Sequence, residues 1–107
     1  MSKPVIRRWE ARAGSEAIEA WLAQFRDRVM PKYREAEGFR GVRVLISHGA
    51  AIRDVVVLTE WDDMAAVERF SGPEPERAVM PDWVAVLMPD HDGHATHYDE
   101  ILREDAE

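Results

Sequence analysis

The 107-residue chain contains no cysteine. That removes disulfides, zinc–thiolate sites and thiol nucleophiles together. It also contains no asparagine, and with it no acceptor for N-glycosylation. Lysine is scarce: Lys3 and Lys32 stand alone against a large set of arginines. No apolar run approaches the roughly 20 residues that a membrane-spanning helix needs. The opening residues, MSKPVIRRWE, lack the apolar core of a signal peptide, so export is not expected. Excess positive charge is missing as well: 14 basic residues face 21 acidic ones, a net charge of −7. Such a chain has no broad positive field to grip nucleic-acid phosphates or an anionic membrane surface. No glycine-rich loop has the spacing of a dinucleotide or phosphate cradle, so neither a flavin nor a nicotinamide site is visible and no cofactor is expected.

What is present is an ordinary globular composition, 46% apolar, in a length that fits one domain. That domain takes in residues 1–107, with a core over about 5–102 and an acidic tail at 103–107. The arginine bias and the many alanines match a GC-rich bacterial coding sequence. A bacterial cytoplasmic domain is the plain expectation.

Residues 5–12 read as a first strand, with Val5, Arg7 and Trp9 on one face and Ile6, Arg8 and Glu10 on the other. Gly14-Ser15 opens a helix, with Ser15 as the expected cap and Glu16 and Glu19 near its positive end. Ile18, Trp21, Leu22, Phe25 and Val29 follow the 3.6-residue repeat as one apolar stripe. Pro31 must kink or restart this helix, and Tyr33 extends the stripe beyond it. Residues 42–48 and 53–61 read as two strands joined by a short turn at Gly49-Ala50-Ala51, an antiparallel hairpin. Asp62 or Asp63 caps a second helix carrying Met64, Ala65, Val67 and Phe70, which Ser71-Gly72-Pro73 stops. Residues 74–88, broken by Pro75 and Pro81, are expected to form short helical turns around Val79, Trp83 and Leu87. Asp92-Gly93 is a turn, and residues 94–102 form a last strand.

The order β-α-β-β-α-β predicts an α+β, ferredoxin-like fold: a four-stranded antiparallel sheet with both helices on one face. Val55, Val56, Val57 and Leu58 are apolar in succession, so both faces of the third strand call for burial. The helices cover one face. A second copy of the same sheet is the simplest cover for the other, which predicts a homodimer.

The histidines are the side chains that titrate near neutrality without perturbation. His94 and His97 point to opposite faces of a strand and cannot easily share an ion, and His91 sits between acids in a turn, so no metal site is expected. His48 reads as a surface residue. His97 lies mid-strand in a sheet expected to be covered on both sides. It is either a core histidine with a hydrogen-bond partner or a general base.

Five segments then carry a resemblance: GSEAIEAWLAQF, VMPKYREAEGFRGVRVL, VVVLTEWDDMAAVERFSG, ERAVMP and THYDEI. In this order and spacing the chain resembles the antibiotic biosynthesis monooxygenase family of small dimeric α+β-barrel proteins, over residues 5–102. The resemblance implies a homodimer whose sheets pack as a barrel, with a cleft in each protomer between sheet and helices. It implies a cofactor-independent monooxygenase that uses O2 on an aromatic polyketide or quinol-type substrate. The alternative is a non-catalytic binding or stress-response protein of the same fold. The resemblance suggests His97 as base and Arg7 as the group that stabilises a phenolate. Trp9, Trp21, Phe25, Phe70 and Tyr98 would contact the substrate. Tyr98 points away from His97, so only one of the pair can serve the cleft. The haem-degrading branch of the family uses an Asn, a Trp and a His. The matching positions here fall near Arg7, on Phe70 and near Met80, which disfavours haem degradation.

Overall fold

The computed structural model describes residues 3–106. Strand β1 (Val5–Ala13) leads into helix α1 (Ser15–Gln24), a π-helical turn (Phe25–Val29) and helix α2 (Met30–Glu35). Strands β2 (Phe39–Ile46) and β3 (Arg53–Trp61) form the hairpin. Helices α3 (Met64–Ser71) and α4 (Asp82–Leu87) precede two short strands, β4 (Asp90–His91) and β5 (Thr96–Asp99). The sheet order is β2-β3-β1, and β4 and β5 both pair with β1 antiparallel. With β4 and β5 in place of a single fourth strand, this is the expected ferredoxin-like order.

Alternation along the central strands separates the two faces. Val5, Arg7, Ala11 and Ala13 of β1 and Val55, Val57, Thr59 and Trp61 of β3 are buried beneath the helices. Ile6, Arg8, Glu10, Val56, Leu58 and Glu60 point the other way and are half-buried in the single chain. On the helix side, Ile18, Trp21, Phe25 and Tyr33 close over the sheet. Thr59, buried among apolar neighbours, accepts a bond from the Trp61 indole at 2.8 Å, so its hydroxyl is not stranded.

Local rules account for most boundaries, with corrections at the start of α1 and in the last strand. Asp63 caps α3, its carboxylate accepting from the Ala66 N–H at 2.9 Å. Ser15, expected as the cap of α1, is instead its first helical residue; Gly14 is the cap and supplies no side-chain bond. Pro31 marks a restart, as expected: a separate helix, α2, begins at Met30 with Pro31 in its first turn, where its missing N–H costs nothing. The π turn precedes it, with the Met30 N–H bonded back to the Phe25 carbonyl. The wider turn makes room for a ring that would otherwise meet the carbonyl four residues back. The last strand, expected over 94–102, is confined to Thr96–Asp99. Residues 93–95 leave the ladder to meet the irregular segment before α4: the Ala78 N–H donates to Gly93 at 3.1 Å, and Ala95 to Glu76 at 2.8 Å.

Candidate functional site

The register of β1 against β5 sets Arg7 directly opposite His97, and Ile6 opposite Tyr98. Arg7 and His97 therefore share the face under the helices. Tyr98 belongs to the outer face, where it is 49% exposed. Strand parity thus removes Tyr98 from the cleft and corrects its assignment as a substrate contact.

Arg7 is buried, and among the described residues no carboxylate pairs with it. Its guanidinium instead donates to the carbonyls of Pro75 and, at 3.0 Å, Arg77, and it lies 3.0 Å from Nε2 of His97. A guanidinium only donates, so Nε2 accepts, the imidazole is neutral and its proton sits on Nδ1. Burial is the main cause that lowers the His97 pKa below 6.5, helped by Arg7 and opposed by Glu76. Burial likewise lowers the Arg7 pKa. Three of the five guanidinium donors are thus committed, and two remain.

Beside Arg7 lies a cavity of about 100 Å³ between the sheet and the helices. Arg7, Trp9 and Val57 form its floor, and Trp21, Phe25, Val29, Lys32 and Tyr33 come from the long helical stretch above. Phe70 of α3, Trp83 and Val84 of α4, and Ala78, Val79 and Pro81 complete it. The aromatic rings form one continuous wall. Trp9 and Trp21 have centroids 6.4 Å apart, Trp21 and Phe25 4.9 Å, and Tyr33 and Phe70 5.1 Å. Trp9 is fixed by its indole N–H, which donates to the Asp92 carbonyl at 2.8 Å. The segment before α4 closes one side and is held there by the two carbonyls that Arg7 binds.

Of the seven site residues expected from sequence, Arg7, Trp9, Trp21, Phe25 and Phe70 line this cavity. His97 does not; it touches the cavity only through Arg7. Tyr33 and Lys32 were not anticipated as site residues. The signal for Tyr33 was present, since it falls four residues after Val29 on the apolar stripe. Its hydroxyl has no hydrogen-bond partner among the described residues, yet no described buried side-chain oxygen is sealed off unpaired. The hydroxyl is therefore not sealed off from solvent-accessible space, and Tyr33 lines the cavity. Burial pushes its pKa up to about 12 against the opposing pull of Arg7, which keeps it a proton-bearing donor. Lys32 carries no local signal, being an exposed residue of an amphipathic helix.

The geometry offers an aromatic slot with a buried cation and a phenolic donor and no acidic wall. For haem the fit is poor. Of the usual axial ligands only Tyr33 lines the cavity, and its raised pKa opposes the phenolate that ligation needs.

Among curated proteins none matches the sequence. Solved structures similar in fold include the haem-degrading protein of Mycobacterium tuberculosis, at 15% identity, TM-score 0.65 and coverage of 99% of this chain and 100% of that one. A putative antibiotic biosynthesis monooxygenase from Bacillus cereus is 18% identical, with TM-score 0.63 and coverage of 98% and 100%. SnoaB, a cofactor-independent oxygenase from Streptomyces nogalater, is 14% identical, with TM-score 0.57 and coverage of 98% and 97%. At these identities the likeness is one of fold. Residues 4–80 match the sequence family described as antibiotic biosynthesis monooxygenase, and by that match over most of its length the chain belongs to this family.

Proposed function

We propose that this protein is a cofactor-independent monooxygenase acting on an electron-rich phenol or quinol, and that it works as a homodimer. The observation that carries the reading is the buried, carboxylate-free Arg7 at the floor of an aromatic cavity. A positive charge within a few ångströms lowers the pKa of an opposite-sign group by about 1–3 units. Arg7 and the Tyr33 hydroxyl would therefore favour a bound phenol as its phenolate. The phenolate gives its own electrons to O2. For an anthrone, one oxygen atom becomes the new carbonyl and the other leaves as water. Trp9, Trp21, Phe25 and Phe70 hold the ring and exclude bulk water, which strengthens the charge interaction. His97 acts through Arg7: with Nε2 engaged, it braces the guanidinium rather than meeting the substrate. The name of SnoaB as a cofactor-independent oxygenase supports this reading.

Among the described residues no carboxylate and no imidazole lines the cavity. That observation favours the second reading, a binding protein without chemistry. Oxygen consumption with an anthrone or quinol separates the two. The enzyme reading expects uptake above the uncatalysed rate, stoichiometric with product, and a fall of at least about 100-fold in Arg7→Met if one charge-stabilising donor carries the usual weight. Binding of the aromatic without any uptake establishes the second reading.

A further inference from the structure

The chain as a whole is acidic, with a net charge of −7, but its cavity is not. Among the described residues Arg7 and Lys32 are the charged ones in the cavity lining, and both are cations. They occupy different depths. Arg7 is buried on the floor strand, whereas Lys32 is exposed on α2, where the cavity mouth meets a shallow groove bordered by Glu35, Glu37 and Arg69. Arg69 does not reach the cavity lining, and neither glutamate does. Among the described residues Lys32 makes no ion pair.

Tyr33, a residue 9% exposed whose hydroxyl has no hydrogen-bond partner among the described residues, lines the same cavity. Lys32 and Tyr33 are consecutive residues, so their side chains leave the helix about 100° apart, one toward the rim and one toward the sheet. Every polar side chain here that is free to meet a ligand is a donor. A single phenolate at the floor satisfies Arg7 and Tyr33 and leaves the cation at the rim without a role. About 100 Å³ is also the order of space that encloses one aromatic ring, so a larger ligand must extend to the mouth.

We propose that the ligand of this cavity is an aromatic acid, bound with its ring in the Trp9–Trp21–Phe70 cage, its hydroxyl toward Arg7 and Tyr33, and a carboxylate at the rim against Lys32. Lys32 is thus a specificity-determining residue that selects acids over neutral esters. The inference rests on the cavity being the ligand site, and it holds whether or not the bound aromatic is oxidised.

The test is calorimetric binding of 6-hydroxy-2-naphthoate, its methyl ester and 2-naphthol to the full-length protein, with oxygen uptake followed separately. The acid is expected to bind up to about fivefold tighter than the ester, the upper end for an exposed ion pair. That preference should shrink as salt rises to 0.5 M on the order of full screening. Lys32→Gln, at an exposed position, should abolish the preference by weakening the acid more than the ester or 2-naphthol. Lys32→Glu should invert it. Equal binding of acid and ester by the wild type overturns the proposal. So does a Lys32→Gln variant that keeps the preference, or failure of all three probes to bind. Acid preference without oxygen uptake keeps the proposal and rejects only the oxygenase chemistry.

Discussion

Arg7 and His97 form a pair in which each residue explains the other. An arginine taken out of water needs its donors filled, and here two carbonyls and an imidazole fill three of them. The imidazole can do so only while neutral. Its folded pKa is lowered below the 6.5 of the free side chain, chiefly by burial. A group with a depressed folded pKa of this kind binds its proton less readily in the native state than in the unfolded one. Stability must therefore rise with pH wherever the unfolded state holds the extra proton. The contribution is complete above pH 6.5 and is lost as pH falls from there through the lowered value. In His97→Gln the side-chain oxygen still accepts from Arg7 but does not titrate. Urea unfolding at pH 7 and pH 5 should show a larger loss for the wild type than for this variant. Parallel losses would mean that His97 does not brace Arg7. The strand alternation already placed Arg7 and Trp9 on one face. It could not place Arg7 opposite His97, because two residues 90 positions apart meet only through a pairing register that the break between β4 and β5 sets.

At the level of elements, the segment EGFRG is a steric requirement rather than a signature. Gly38 follows α2 with φ +88°, and a Cβ built there would stand 2.5 Å from the Cβ of Ala66 on α3. The Gly38 carbonyl also accepts from the Asp62 N–H at 2.8 Å, so the end of β3 and the start of β2 are fastened at this point. Gly38→Ala should cost about 2–4 kcal/mol, combining the left-handed backbone penalty with overpacking against α3. Gly93→Ala, with nothing within 4 Å of its added Cβ, should stay within about 0.5 kcal/mol. Chemical denaturation of the two variants checks both values. If Gly38→Ala is as mild as Gly93→Ala, the helix α3 contact is not what fixes the residue. The same scale shows where sequence patterns reach and where they stop. The long periodic stripe from Ile18 to Tyr33 and the alternation in β1 and β3 located the elements that form the floor and roof of the cavity. The side wall, 75–84, was legible only as broken turns, because its position is decided by long-range bonds from Arg7 and from residues 93–95. Lys32 went unnoticed because a rim position is a property of convergence, not of local pattern.

For the whole molecule the open question is the second face of the sheet. Val56 and Leu58 of β3, with Ile6 of β1, are half-buried on that face, and Leu45 and Tyr98 are 46% and 49% exposed. The β2–β3 register sets Leu45 beside Val56, and the β1–β5 register sets Ile6 beside Tyr98, so the apolar side chains form a band. Some charges around the band are paired within the chain, Arg8 with Glu10 at 2.8 Å and Arg12 with Asp90 and Asp92 at 3.0 and 3.1 Å, whereas Arg43, which the register sets opposite Leu58, makes no ion pair among the described residues. A partner face must therefore leave Arg43 at a solvent-reaching rim or offer it an acceptor where the apolar groups meet. Fully burying one side chain of this size stabilises by about 1.5–3 kcal/mol, and a twofold interface buries each residue twice. Several such residues per protomer, offset by the cost of association, suffice for a dimer that persists at micromolar concentration. Light scattering of the wild type at that concentration should give twice the chain mass. Leu58→Asp puts a charge at the centre of the band but outside the core under the helices. It should yield a monomer with an unchanged circular-dichroism spectrum, whereas Val57→Asp, one position away on the buried face, should unfold the chain. A wild type of single-chain mass would reject the dimer. A dimer that survives Leu58→Asp would place the contact on some other surface.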